Sequence, residues 1–360
     1  MKRRLFLKFL FFIPSIFNRL FAKEGSKGKM IKKQTPIDFQ WPTLEPFLFC
    51  VHHHDMYPAG NEKHGVDSKY FAGRQLGSDF QLKDGFRMYH GDGVPGFPVH
   101  PHRGFETITI VRKGYVDHAD SMGAIGRYGQ GDVQWMTAGG GVQHCEMFPL
   151  LSKDSNNELE LFQIWLNLPK ENKMVNPDFK MLWAEDIPKV EGDEVSVSVI
   201  SGSYEKTSYY EAPAKSWANK KENEVTILLA KFKKEGKFQY PATAGVNRMI
   251  YFFTDDKKTL NGQVVNGKQA VEVDSNIPLE IQAKANSEFL VLQAKPIGEP
   301  IVQNGPFVMN TQAEIQQAIS DYQRTQFGGW RWSDKGVVHG GKAERFAQYP
   351  NNQMVRPKKS

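Results

Sequence analysis

Two stretches decide how this chain folds. The first is Gly96-Phe97-Pro98-Val99-His100-Pro101-His102-Arg103-Gly104-Phe105-Glu106. The second is Gly131-Asp132-Val133-Gln134-Trp135-Met136-Thr137-Ala138-Gly139-Gly140-Gly141-Val142-Gln143-His144-Cys145-Glu146. Each carries two metal-ligating residue types one residue apart: His100 with His102, and His144 with Glu146. On a β-strand, residues i and i+2 face the same side. Each pair can therefore aim two donors at one point, and two facing strands could supply four. Between them, Thr107-Ile108-Thr109-Ile110-Val111 alternates as a half-buried strand does, and Gly131-Asp132 marks a turn into another strand. A lone His-x-His is more often a solvent-facing or satisfied core pair. The second pair and the intervening strands favour a metal, and three imidazoles with a carboxylate suit Fe, with Zn, Ni, Cu or Mn fitting the same donors.

His100-Pro101-His102-Arg103-Gly104-Phe105-Glu106 and the run Gly131 to Gly139 resemble the two signature stretches of the pirin family. Gln163-Ile164-Trp165-Leu166-Asn167-Leu168-Pro169 and Gly305-Pro306-Phe307-Val308-Met309-Asn310-Thr311 are similar to that family too, so the resemblance runs from about Pro46 to Gly329. It implies an all-β bicupin: two tandem antiparallel β-barrels, with iron, as Fe(II), in the first only. By the same resemblance His100, His102, His144 and Glu146 are the ligands. Glu106 stands four residues after His102, where many other cupins place a liganding Glu; it is expected to support the ligands or to replace one. The expected organisation is a signal-like segment at 1–22, a linker at 23–45, a metal-binding barrel at 46–190, a second barrel at 191–310, and a helix with a tail at 311–360.

A chain of 360 residues has room for two such domains, and its 32 glycines and 20 prolines favour short strands and turns. Five of the 46 basic residues lie in 1–22; the rest of the chain has 41 basic against 40 acidic residues, a net charge of +1. The basic balance therefore belongs to the N-terminus and gives no argument for nucleic-acid binding. Met1-Lys2-Arg3-Arg4 followed by the largely apolar Leu5 to Phe21 reads as an export signal, and Arg3-Arg4-Leu5-Phe6-Leu7-Lys8 resembles the twin-arginine motif. Lys8 and Arg19 interrupt the apolar run, which argues against a membrane span. A periplasmic or exported location follows, with a cytoplasmic protein bearing a basic apolar tail as the alternative. Lys23 to Gln34 is polar and lysine-rich, as linkers are.

His52-His53-His54 invites a second metal site, but only His52 and His54 would share a strand face, so structural hydrogen bonding or contact with the neighbouring barrel is expected. Gly91-Asp92-Gly93-Val94-Pro95-Gly96 matches a dinucleotide fingerprint in letters only: Pro95 and Pro98 lead into an extended strand, not a helix. Cys145 lies between two ligands and so faces away from them. Its pairing with Cys50 is left open by sequence, with buried free thiols expected.

Second-barrel strands are predicted over Glu194 to Ile200, Val225 to Phe232, Arg248 to Thr254, Ala270 to Val273, Leu279 to Ala283 and Glu288 to Ala294. Asn261-Gly262 and Asn266-Gly267 supply turns. No histidine occurs between Ser203 and Met309, so this barrel has no copy of the first site. Thr311-Gln312-Ala313-Glu314 is a capping box, and Ile315, Ala318, Ile319 and Tyr322 form one apolar helix face. The tail that follows is expected to strap over the barrels.

Four protein ligands leave two positions of an octahedral metal open to water, O2 or substrate. The resemblance implies two functions: dioxygenase chemistry on flavonols such as quercetin, with a small aromatic substrate and O2, or a non-enzymatic iron redox sensor acting on a protein partner. Export weakens any role at DNA and favours the enzyme. Gln163, Trp165 and Asn167 share a strand face by their spacing and are expected to line the pocket; the plainer alternative has Trp165 packed and both amides bonded to backbone.

Overall fold

The computed structural model describes residues 29–358, so the signal-like segment 1–22 lies outside the described residues. The elements that build the site are β1 Ile31–Pro36, β2 Gln40–Trp41, β3 Phe47–Tyr57, β4 Gly96–His102, β5 Phe105–Lys113, β6 Tyr115–Asp120, β7 Ile125–Gly129, β8 Val133–Thr137, β9 Val142–Met147, β10 Asn157–Asn167 and β11 Asp178–Leu182. All of these but β1 enter two six-stranded sheets that face each other as the first cupin barrel. One has the order β11-β8-β5-β10-β3-β2. The other begins with Met354–Val355 and Phe346–Gln348 and continues β7-β6-β9-β4. The second cupin barrel is a larger sheet on Val195–Tyr204, Thr226–Phe232, Asn247–Phe252, Gln269–Val273 and Glu288–Ala294, facing a four-stranded sheet. The predicted strands of this half all recur, within a few residues at their ends. Asn261 and Gly262, at φ 46° and 79°, make the tight left-handed turn of a two-residue hairpin.

β5 departs from its half-buried reading, because both of its faces are covered. Ile108 and Ile110 turn outward and pack with Phe162 and Ile164 of β10 against Ile227, Tyr251, Leu290 and Leu292 of the second barrel. Thr107 and Thr109 turn into the first barrel and are buried as well. An alternating pattern thus hides an interface when the polar face has a lined interior to look into. Arg112 ties the same seam electrostatically, pairing with Glu160 in the first barrel and Glu288 in the second.

The expected linker at 23–45 is corrected over its latter half. β1 pairs with Gln269–Val273 at the edge of the second barrel, and β2 adds to β3 of the first. Its polar composition misled because an edge strand exposes most of its side chains: Met30 and Ile31 enter the second core while Lys32, Lys33 and Gln34 stay in solvent.

Helix α1, Gln312–Thr325, is capped as predicted by Thr311 and Glu314, and it buries Ile315 and Ala318. It docks on the first barrel: Tyr322 donates to Gln143 at 2.8 Å and Arg103 to Asp321 at 2.8 Å. The tail then straps the same barrel. Trp332 Nε1 donates to the Asp120 carbonyl (3.1 Å), and Phe346–Gln348 pairs with β7. No helix among the described residues is long and apolar enough to cross a membrane.

Candidate metal centre

β4 and β9 are antiparallel neighbours with His100 opposite His144. Alternation then brings His102 and Glu146 to the same inward face. The ring centroids of His100 and His144 lie 4.5 Å apart, those of His100 and His102 4.8 Å, and those of His102 and His144 4.9 Å. One nitrogen from each of the three rings falls within 4.8 Å of the others, a spacing that can close on one ion. Glu146 completes the constellation from the side, with Oε2 3.9 Å from His144 Nε2. Its carboxylate is already held: Thr109 Oγ1 lies 2.9 Å and Tyr128 Oη 3.3 Å from Oε1, while Gln163 Nε2 donates to Oε2 at 2.8 Å.

The electrostatics fit a cation. Burial lowers His100 to about 4, and burial followed by the neighbouring imidazoles holds His102 and His144 well below the usual range. The rings are therefore neutral, with lone pairs to give. Burial raises Glu146, against the pull of its Thr109 bond, the His118 ring and its Tyr128 and Gln163 bonds, so a metal cation would further favour its ionised form. His100 Nδ1 bonds the Pro98 carbonyl at 2.9 Å, which fixes the proton there and leaves Nε2 as a donor atom for a metal. His144 is fully buried, and neither of its nitrogens has a hydrogen-bond partner. Buried polar atoms are rarely left so. A metal at the three rings would satisfy one of the two.

Gln163 and Trp165 line the cleft that opens on this cluster, together with Phe39, Phe49, Val51, His53, Phe80 and Phe97. Two expected residues do not. Asn167 accepts from Lys173 Nζ at 2.6 Å, and the same ammonium donates to the Gly104 and Val308 carbonyls, so the amide ties down a loop at the barrel's end. Glu106 points the other way altogether. Its oxygens accept from Thr137 (2.6 Å), Trp135 Nε1 (3.1 Å) and Ser216 (2.7 Å), at the seam between the barrels. Arg103 and Gly104, the latter at φ 86°, carry the chain from one sheet to the other, so counting parity from His102 fails across the turn. Glu106 is therefore neither a ligand nor a support for one.

Sequence reasoning missed His118 and Asp120 of β6. They lie opposite Glu146 and His144 of β9 and share their face. His118 Nε2 is 3.1 Å from Asp120 Oδ2, its ring is 5.5 Å from that of His144, and its buried Nδ1 has no hydrogen-bond partner. The i, i+2 spacing that marked the ligands is present here as well. Cys145 faces away, among Ala119 and Met147, and burial raises its thiol to about 12; Cys50 is likewise buried and free. A roomier hollow of about 500 Å³ lies between Tyr57, Tyr115, Phe148 and Leu159, away from the imidazole cluster.

The Pirin family matches residues 38–166, and the Pirin C-terminal cupin domain matches residues 227–328. A pirin of Rattus norvegicus is 34% identical over 270 residues, spanning 70% of this chain and 85% of the relative. Pirin-1 of Arabidopsis thaliana is 37% identical over 243 residues, spanning 65% of this chain and 78% of its own length. Among solved structures, quercetin 2,3-dioxygenase from Acinetobacter baumannii superposes with a TM-score of 0.65 at 27% identity, covering 83% of this chain and 98% of that one. With both cupin domains matched and the paired histidines in place on their strands, this chain belongs to the pirin family.

Proposed function

We propose that this protein is a metal-dependent dioxygenase of flavonol-type substrates, quercetin 2,3-dioxygenase-like, with iron at His100, His102, His144 and Glu146. The observation that carries this reading is the mixed lining of one cleft, where His100, His102, Glu146 and Gln163 stand among Phe39, Phe49, Phe80, Phe97 and Trp165. Likeness to the Acinetobacter baumannii quercetin 2,3-dioxygenase supports it. When bound, the metal supplies open positions for an enediol-like substrate and O2. The chain's residues do the rest. Aromatic side chains stack a planar substrate and exclude water, and Gln163 and Thr109 hold the Glu146 carboxylate in place.

The cleft as it stands encloses about 50 Å³ of free space, against several hundred for a typical small-molecule site, so a flavonol enters only if lining side chains such as Phe39 and Phe80 swing aside. That tightness favours a second reading, in which the iron is a redox sensor read by a protein partner. Iron-loaded protein mixed with quercetin in air separates the two: loss of flavonol absorbance with O2 uptake, abolished in His100→Ala, is the expected result, and no turnover across a panel of flavonols selects the sensor. Export by the twin-arginine route is supported by Arg3-Arg4 ahead of an apolar run, and a route for folded proteins suits a chain that loads metal before export. Replacing both arginines with lysine should strand the protein in the cytoplasm; unchanged location would dismiss the signal.

A further inference from the structure

His53 is the middle residue of three adjacent histidines, and it alone turns into the first barrel. On β3 its neighbours point away: His52 Nε2 lies 3.1 Å from Glu160 and His54 Nε2 3.0 Å from Glu158. His53 is only 3% exposed and shares the wall of the metal cleft. Around it stand aromatic rings, with Tyr89 at 4.8 Å, Phe39 at 5.2 Å, Phe97 at 5.9 Å and Phe148 at 6.3 Å between centroids. None of these rings is set to satisfy it: Tyr89 gives its hydroxyl to Asp55 at 2.5 Å. His53 Nδ1 is buried without a hydrogen-bond partner.

An apolar side chain would fill this place without stranding a polar nitrogen, so the imidazole needs a reason. Burial lowers its pKa to about 3, which leaves a neutral ring able both to accept and to donate a hydrogen bond. Phe97 stands between it and the metal cluster, with its ring 6.3 Å from His100. A planar ligand lying along Phe97 would reach from one to the other. We infer that His53 reads a phenolic hydroxyl on the part of an aromatic substrate remote from the metal, selecting hydroxylated over bare aromatic ligands. This rests on the proposal that the cleft binds such a substrate.

The test compares quercetin with 3-hydroxyflavone, which keeps the 3-hydroxy-4-keto end but has no hydroxyls on its outer rings. Binding to the iron-loaded full chain is read by quenching of tryptophan fluorescence, since Trp165 lines the cleft. Wild type should prefer quercetin. His53→Phe, which matches the surrounding rings, should weaken quercetin binding roughly tenfold while leaving 3-hydroxyflavone within about twofold, and His53→Gln should restore most of the preference. An equal loss for both ligands would assign His53 to packing, and no loss for either would also overturn the inference. Should wild type bind neither flavonol, the substrate reading fails and this inference with it. Binding of both without turnover removes only the dioxygenase, and the His53 comparison still decides.

Discussion

The two barrels share a fold and differ in what faces inward. In the second, Val197, Leu228, Phe238, Phe252, Ile281 and Phe289 pack into a continuous apolar core. Its buried cations are tied mainly to backbone and amide oxygens: Arg248 donates to Gln293 at 2.7 Å and to the Pro241 carbonyl at 2.9 Å, with only its Nη1 left over, and Lys258 donates to the Thr254 carbonyl at 2.9 Å. In the first, the same kind of interior is given over to His100, His102, His118, His144, Glu146 and Gln163, and several of their nitrogens have no protein partner. A cupin barrel therefore does not bring its chemistry with it. The inward positions of a few strands decide whether the space is a core or a site.

Breaking the first interior should cost most. Glu146→Ala removes an inward carboxylate and is expected to lower metal affinity by about a hundredfold or more, read by metal analysis after exchange against a chelator. Glu106→Gln is the control that sharpens the contrast. It lies at the seam, so metal content should hold, while mismatched donors from Thr137, Trp135 and Ser216 lower stability by about 1–3 kcal/mol in denaturant melts.

The seam itself predicts a pH profile. Burial opposes ionisation of Glu160, yet the His52 hydrogen bond and the Arg112 charge lower it from 4.5 to about 2. Its folded pKa is depressed, so its stabilisation is present above pH 4.5 and is lost as pH falls toward 2, on the order of 3 kcal/mol. Glu106 has the opposite sign: burial raises it to about 7, so the folded state holds its proton more tightly and stability declines as pH rises from 4.5 to 7. Glu160→Gln should flatten the acid limb and Glu106→Gln the other. A profile unchanged by either would refute the assignment of these limbs to the seam.

Smaller effects are expected behind the ligands. Asp120→Asn should weaken metal retention roughly tenfold by loosening His118 beside His144, seen as faster release to a chelator; a rate equal to wild type would mean that His144 needs no such support. Least of all, Trp332→Phe loses one bond from the tail to the Asp120 carbonyl, about 1 kcal/mol and a Tm shift of a degree or two.

Strand alternation made much of this legible. The i, i+2 pairs at His100 and His144 could be read because each sits within a single uninterrupted strand, and Gln163 and Trp165 for the same reason. Alternation is a local rule, and it gave out wherever the chain changed sheets. Glu106 was misplaced because Arg103-Gly104 turns the chain between sheets, and Asn167 because it ends its strand beside Lys173. β1 was hidden by the polar face of an edge strand, and His53 by its two neighbours, whose surface bonds dominate the triplet. The tail's docking is long-range, set by partners such as Asp120 and β7 that no local pattern announces.

The claim that the chemistry belongs to the first barrel alone is tested most directly by counting metal. Purified chain loaded with iron should hold one ion, and His144→Ala should hold none while keeping its fold by circular dichroism. Two ions per chain, or an ion that survives His144→Ala at full occupancy, would contradict the account.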